Sequence, residues 1–213
     1  MGTFLTQLAC KIDSREEVVN ALIDVIRGRG FKLESKSKVS DVIELKDQYD
    51  ITQVKNGWVQ IFCPDVPDES IPKELSKKLN IPIFQFHIHD GDFWMYQLFS
   101  SGELKDQHNP IPDYWKKINE IEMRKWKGNP KILSQMFGVD VSKVAPYLVF
   151  WNEKKKSNHK AFPEDQCPIA NEWSMIDFQK KIGIDYPDFE KPKTLDIIRL
   201  TFEPTTIKKV LSI

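Results

Sequence analysis

The sequence predicts an α+β protein in which helices pack on an antiparallel sheet. Phe4–Ile12 alternates like a strand and leads into a capped helix. Ile83–Phe99 reads as a hairpin around Asp90-Gly91, and the apolar spacing after residue 110 turns helical. Residues 1–110 are therefore expected to form a sheet region and residues 111–213 a mainly helical one. The late apolar run Leu195–Phe202 can pair back onto the sheet, so both regions are expected to share one core as a single domain. The order of elements admits a ferredoxin-like arrangement with two helices on one sheet face.

Within the first strand, Phe4, Thr6, Leu8, Cys10 and Ile12 share one face and Gln7 and Lys11 take the other, as in a half-buried strand. Ser14-Arg15-Glu16-Glu17 is a capping box, in which Ser14 and Glu17 each satisfy a free backbone amide. Val18, Leu22, Val25 and Ile26 follow at helical spacing, and Gly28 and Gly30 supply the stop. Phe31–Leu33 reads as a short strand and residues 35–41 as a polar loop, while residues 42–55 fit strand or helix equally. Asn56-Gly57 is a tight-turn signal before a strand at Trp58–Phe62, which Pro64 and Pro67 break. Ile71, Leu75 and Leu79 mark a helix that ends at Asn80 and Pro82.

The hairpin carries the most consequence. With Asp90-Gly91 as the two central residues of a type I′ turn, His89 faces Asp92, Ile88 faces Phe93, His87 faces Trp94, Phe86 faces Met95 and Gln85 faces Tyr96. One face then holds Phe84, Phe86, Ile88, Phe93, Met95 and Phe99 and belongs to the core. The other holds Gln85, His87, His89, Asp92, Trp94 and Tyr96. Helices from the second half could cover that second face and make a three-layer core.

Ser101-Gly102 turns the chain again. Asp113–Trp126 reads as a helix with Tyr114, Trp115, Ile118, Ile121 and Trp126 on its apolar side. Asn129-Pro130 caps another helix, closed by Gly138, and Asp140 opens a short one. Residues 152–168 are a polar loop, after which Asn171 caps a helix with Trp173, Ile176 and Phe178 that stops at Gly183.

Composition narrows the function. Lys plus Arg and Asp plus Glu both number 31, so the chain lacks the basic excess of a polyanion binder, which argues against nucleic acid. Cys10, Cys63 and Cys167 are odd in number and far apart, which points to reduced thiols and a cytoplasmic setting. No apolar run reaches the roughly 20 residues of a membrane span. Gln7-Leu8-Ala9-Cys10 lacks the leader of a lipoprotein site, and Met1-Gly2 with Thr6 matches the short myristoylation pattern only literally. The chain holds no GxSxG, HExxH, phosphate loop or dinucleotide-binding glycine set, so no cofactor and no catalytic residue is expected.

Weaker patterns remain. His87 and His89 fall on one side of a strand beside Asp92, a set compatible with a metal, although such residues are ordinary on a solvated sheet face. Gln85, Trp94 and Tyr96 on that same face are interface candidates, since aromatics anchor protein contacts. Residues 131–148 resemble a helix-turn-helix, but Pro146 interrupts the second helix, and Asp140, Ser142, Lys143 and Ala145 offer no Arg or Asn to base edges. Basic clusters at 116–131 and 154–160 suit a solvated surface or an acidic partner.

Leu75–Leu79, Phe86–Tyr96 with its His-Asp-Gly-Asp turn, Ile111-Pro112-Asp113-Tyr114-Trp115, Gly128–Leu148 and Trp173–Tyr186 together resemble a group of uncharacterised bacterial proteins. The likeness extends over most of the chain after residue 56. It implies a bacterial origin and one evolutionary unit, and no chemistry. The leading expectation is a non-enzymatic intracellular protein-binding or regulatory module, of which an immunity-type, toxin-neutralising role is one form. A metal-dependent enzyme using His87, His89 and Asp92 and a DNA-binding regulator using residues 131–148 are the alternatives.

Overall fold

A computed structural model describes residues 2–40, 48–64, 68–151, 158–188 and 195–205. Along the chain run β1 (Leu5–Lys11), α1 (Arg15–Gly28), β2 (Phe31–Val39), β3 (Gln48–Thr52), β4 (Trp58–Cys63), α2 (Ser70–Leu79) and β5 (Pro82–His89). They are followed by β6 (Phe93–Ser100), β7 (Glu103–His108), α3 (Glu120–Lys125), α4 (Pro130–Phe137), α5 (Val141–Val144), a 3₁₀ turn at Ala145–Tyr147, α6 (Ser174–Lys181) and β8 (Ile197–Pro204). The eight strands make one sheet in the order β2-β8-β3-β4-β1-β5-β6-β7, and every pairing is antiparallel. The fold is thus mixed α and β on an antiparallel sheet, with helices in both halves of the chain. β1 lies between β4 and β5 and runs antiparallel to both. β8 enters the sheet between β2 and β3.

Both faces of the sheet are covered. On one, α1 and α2 bury Val18, Val19, Leu22, Ile71 and Leu75 against Leu8, Cys10, Ile51, Val59, Ile61, Ile83 and Leu200. On the other, Leu133, Val144, Tyr147, Met175 and Phe178 close over Trp58, Phe62, Phe84, Phe86, Trp94 and Tyr96. β1 is therefore buried on both sides rather than half-buried. Gln7, expected on a polar face, sits in the interior. Its amide donates to Gln60 Oε1, and Gln179 Nε2 donates to Gln7 Oε1 at 2.7 Å, tying α6 to β1 and β4. A second buried polar tie joins β3 to β8, where Arg199 donates through Nε and Nη2 to both carboxylate oxygens of Asp50 at 2.8 and 2.9 Å.

Local chemistry explains the element ends. Ser14 Oγ accepts from Glu17 N at 3.3 Å and opens α1. Asn56 and Gly57 take left-handed backbone, φ 54° and 73°, and Lys55 and Trp58 exchange both backbone hydrogen bonds across them. Asn129 Oδ1 accepts from Lys131 N, Pro130 opens α4, and Gly138 ends it at φ 68°.

Two expectations are corrected and one strand is added. The polar stretch 35–39 is strand, because β2 is an edge element whose exposed side chains can be Lys and Ser. Glu103–His108 is a strand as well, paired with β6. The helix expected over Asp113–Trp126 is confined to α3, since Pro110 and Pro112 hold the preceding segment in turns and Asn119 supplies a new cap at 2.9 Å. Residues 41–47, 65–67 and 152–157, including parts of the ambiguous stretch and the polar loop, lie outside the described residues. Among the described residues, no helix is long and apolar enough to cross a membrane.

Candidate functional site

The site forms where the sheet extends beyond α2. On the α1/α2 side, β5 presents Ile83, Gln85, His87 and His89 in turn, flanked on β1 by Cys10, Leu8 and Thr6 and on β6 by Phe99, Gln97, Met95 and Phe93. The face is apolar under α2, becomes polar at Gln85, Gln97, Thr6 and His87, and ends aromatic at His89 and Phe93.

This composition corrects the expected hairpin register. Asp90 and Gly91 do adopt the left-handed pair of a tight turn, φ 50° and 69°, and Asp92 N donates to His89 O at 2.9 Å. Asp92 is nevertheless an extra residue, and the ladder begins with His89 opposite Phe93, Ile88 opposite Trp94 and Phe86 opposite Tyr96. A one-residue shift moves every side chain of β6 to the other face. The physical reason is burial: the shift aligns Trp94, Tyr96 and Leu98 with Phe84, Phe86 and Ile88 beneath the C-terminal helices.

Trp94 and Tyr96, expected beside the histidines, therefore lie inside at 1% and 0% exposure. Their polar tips are satisfied there: Trp94 Nε1 donates to Ser174 Oγ at 2.9 Å and Tyr96 Oη donates to Asp106 Oδ2 at 2.6 Å. Gln85, His87 and His89 stay together, with the two imidazole centroids 5.8 Å apart. His87 is buried, with Nδ1 3.0 Å from Thr6 Oγ1. Burial, reinforced by His89, lowers its pKa to about 4, so it is neutral at pH 7. Asp92 turns away to accept from Tyr114 Oη at 2.6 Å, which raises the Tyr114 phenol pKa. Among the described residues, no three His, Cys, Asp or Glu side chains gather closely enough to hold a metal ion.

The aromatic end of this face was not legible as a site. His89 is ringed by Phe4, Phe93, Tyr114 and Trp115 at centroid distances of 5.2, 5.7, 5.5 and 4.9 Å. Phe93 is buried, whereas Phe4, Tyr114 and Trp115 are 37%, 41% and 56% exposed. Gly91 N donates to Thr3 O at 2.9 Å and fastens the N-terminal segment to the hairpin tip. Tyr114 N donates to Ile111 O at 3.0 Å, and this turn sets Tyr114 and Trp115 against the tip. The signal that could have found them is the Pro110-Ile111-Pro112 run, which biases Asn109 and Ile111 away from helical backbone and so favours a turn just before the two large aromatics.

The other expectations also have a place. In the helix-turn-helix candidate, the second helix is the single turn α5, followed directly by the 3₁₀ turn that contains Pro146. One turn is too short to lie along a major groove as a recognition helix does. Cys10 and Cys63 are buried, and burial raises both thiol pKa values, that of Cys10 to about 12. Neither thiol is therefore a ready nucleophile.

No protein-family model matches the chain, and neither a curated protein nor a solved structure matches it. The reading of this face therefore rests on its own chemistry.

Proposed function

We propose that the chain is a non-enzymatic protein-binding module whose contact surface is the aromatic cluster at the tip of the β5–β6 hairpin. The observation that carries this reading is the exposure of Phe4, Tyr114 and Trp115 side by side around His89. At roughly 200–250 Å² per ring, these exposures leave about 300 Å² of contiguous aromatic surface, the size at which exposed patches tend to be functional. Tyr114 and Trp115 already pack on Phe93 and on each other, and Phe4 packs on His89, so little side-chain entropy is lost when a partner covers them. Asp90, Asp92, Lys116 and Lys117 are exposed around them and supply the polar rim that protein interfaces carry. A regulatory or toxin-neutralising role inside the cell is one form of this activity.

A photo-crosslinking side chain introduced at Trp115 tests it, with Lys78 on α2 as the control position. The expected result is a discrete protein adduct from position 115 alone, lost in the Phe4→Ser/Tyr114→Ser background while the far-ultraviolet circular dichroism is unchanged. Equal labelling from both positions, or an adduct indifferent to Phe4 and Tyr114, would show that the cluster is not a contact surface.

A further inference from the structure

Next to the aromatic cluster, on the same sheet face, lies a pocket of about 250 Å³ lined by Glu69, Gln85, His87, Met95, Tyr96, Gln97 and Trp126. Its polar groups are not evenly divided between donors and acceptors. Gln85 Nε2 donates to the backbone carbonyl of Asp68 at 3.3 Å, and Gln97 Nε2 donates to the Glu69 carboxylate at 3.0 Å. Both of those partners can only accept at neutral pH, so each carboxamide must commit its nitrogen to the protein. Each Oε1 is left without a protein donor among the described residues.

The charge is one-sided too. Asp68 is neutralised by Arg29, Nη1 to Oδ2 at 2.5 Å, and Arg29 also binds Glu74 at 2.9 Å. Glu69 has no cationic partner among the described residues, and burial keeps His87 uncharged at neutral pH. Lys125 and Lys127 flank Trp126 in the chain and are exposed, as Glu69 is, but neither makes an ion pair with Glu69, which instead accepts from Gln97. The pocket thus combines amide oxygens, one uncompensated carboxylate, an indole and a thioether. With a carboxylate and two amide oxygens against the single N–H donor of the indole, that set disfavours phosphates and carboxylates and suits a donor-rich cation, to which an indole adds cation–π attraction when the cation lies over its face.

We propose that this pocket binds the head of an alkylguanidinium or alkylammonium ion. The cation can come from a free small amine or guanidine, or from an Arg or Lys side chain of a bound protein. The proposal does not depend on the aromatic cluster being a contact surface.

Titration of the ¹⁵N-labelled full chain with methylguanidinium chloride, n-butylammonium chloride and neutral N-methylurea, followed by ¹H–¹⁵N correlation spectra, tests it. The Trp126 indole and the Gln85 and Gln97 side-chain amides should shift saturably with the cations and not with N-methylurea. Glu69→Gln, at an exposed position that leaves the fold intact, should weaken binding by about tenfold, the worth of one charge-assisted hydrogen bond. A capped arginyl tripeptide that binds more tightly than methylguanidinium assigns the cation to a protein side chain, and the reverse order assigns it to a free small molecule. Absence of saturable shifts with every cation, equal binding of N-methylurea, or indifference to Glu69→Gln overturns the proposal. Trp115→Ala leaves this titration unchanged, so failure here and failure of the crosslinking experiment are separate results.

Discussion

Two imidazoles are buried in this protein, and a change from pH 7 to pH 5 bears on both. His87 lies against Thr6. His108 donates from Nδ1 to Lys127 O at 3.1 Å and leaves Nε2 without a partner among the described residues. Burial is the first cause at each, and it lowers both pKa values from 6.5 to about 4. The folded pKa is below the unfolded one, so between about pH 4 and 6.5 the unfolded chain binds more protons. Their contribution to stability is fully present above pH 6.5 and is lost as pH falls through that window. At pH 5 the linkage relation puts the loss at about 2 kcal/mol for each histidine, or about 4 kcal/mol together. That is a large fraction of the roughly 5–15 kcal/mol that holds a typical domain folded. Asp106 acts in the opposite sense, because burial raises its carboxyl pKa and acid favours its folded form. Urea unfolding followed by tryptophan fluorescence at pH 7 and pH 5 measures the difference. His108→Asn and His87→Gln should each remove about half of the pH dependence while lowering stability at pH 7. A wild-type loss below about 1 kcal/mol, or variants with the full wild-type dependence, would refute the burial of neutral imidazoles as its source.

Other expectations follow from the same interior. Arg199→Met leaves the Asp50 carboxylate buried beside one less donor pair and should cost about 3–5 kcal/mol in urea unfolding, much of it regained in the Asp50→Leu/Arg199→Met double variant. Gly128→Ala should destabilise by more than about 1 kcal/mol, because φ is 75° and the new Cβ would meet Tyr96 Oη at 3.1 Å and Leu148 at 3.2 Å; differential scanning calorimetry reads this as a lowered Tm. Ser14→Ala removes the cap of α1 and should cost about 1 kcal/mol by the same urea assay. Trp115→Ala removes a half-buried ring from His89, Phe93 and Tyr114 and should cost about 1–2 kcal/mol in urea unfolding with the far-ultraviolet circular dichroism unchanged, so any loss of partner binding is not a loss of fold.

What could be read from the residues was what is decided locally. Ser14, Asn56-Gly57, Asn80 and Asn129-Pro130 each act within a few residues, and each stands at the element end that it predicted. The antiparallel sheet with a late strand from the C-terminal part is also present. The hairpin register depended on the whole sheet. Turn chemistry at Asp90-Gly91 was legible, but the extra residue Asp92 is tolerated because burying Trp94, Tyr96 and Leu98 outweighs an ideal two-residue reversal. β2 and β7 were missed or shortened because edge strands need no apolar alternation, and Glu103–His108 has almost none. The candidate site was half visible. Gln85, His87 and His89 are neighbours by strand alternation alone, whereas Phe4, Glu69, Tyr114, Trp115 and Trp126 reach them from distant parts of the chain.

The insertion of β8 between β2 and β3 sets a schedule for synthesis. When the ribosome has produced residues 1–188, β2 and β3 both lack their shared neighbour, and Asp50 awaits the guanidinium that is to satisfy it. Until residues 197–204 emerge, a nascent chain exposes the sides of β2 and β3 that β8 will pair, in addition to the outer edges of β2 and β7 that the finished sheet keeps. The emergence of β8, rather than of the early hairpins, is then the step on which protection from aggregation waits.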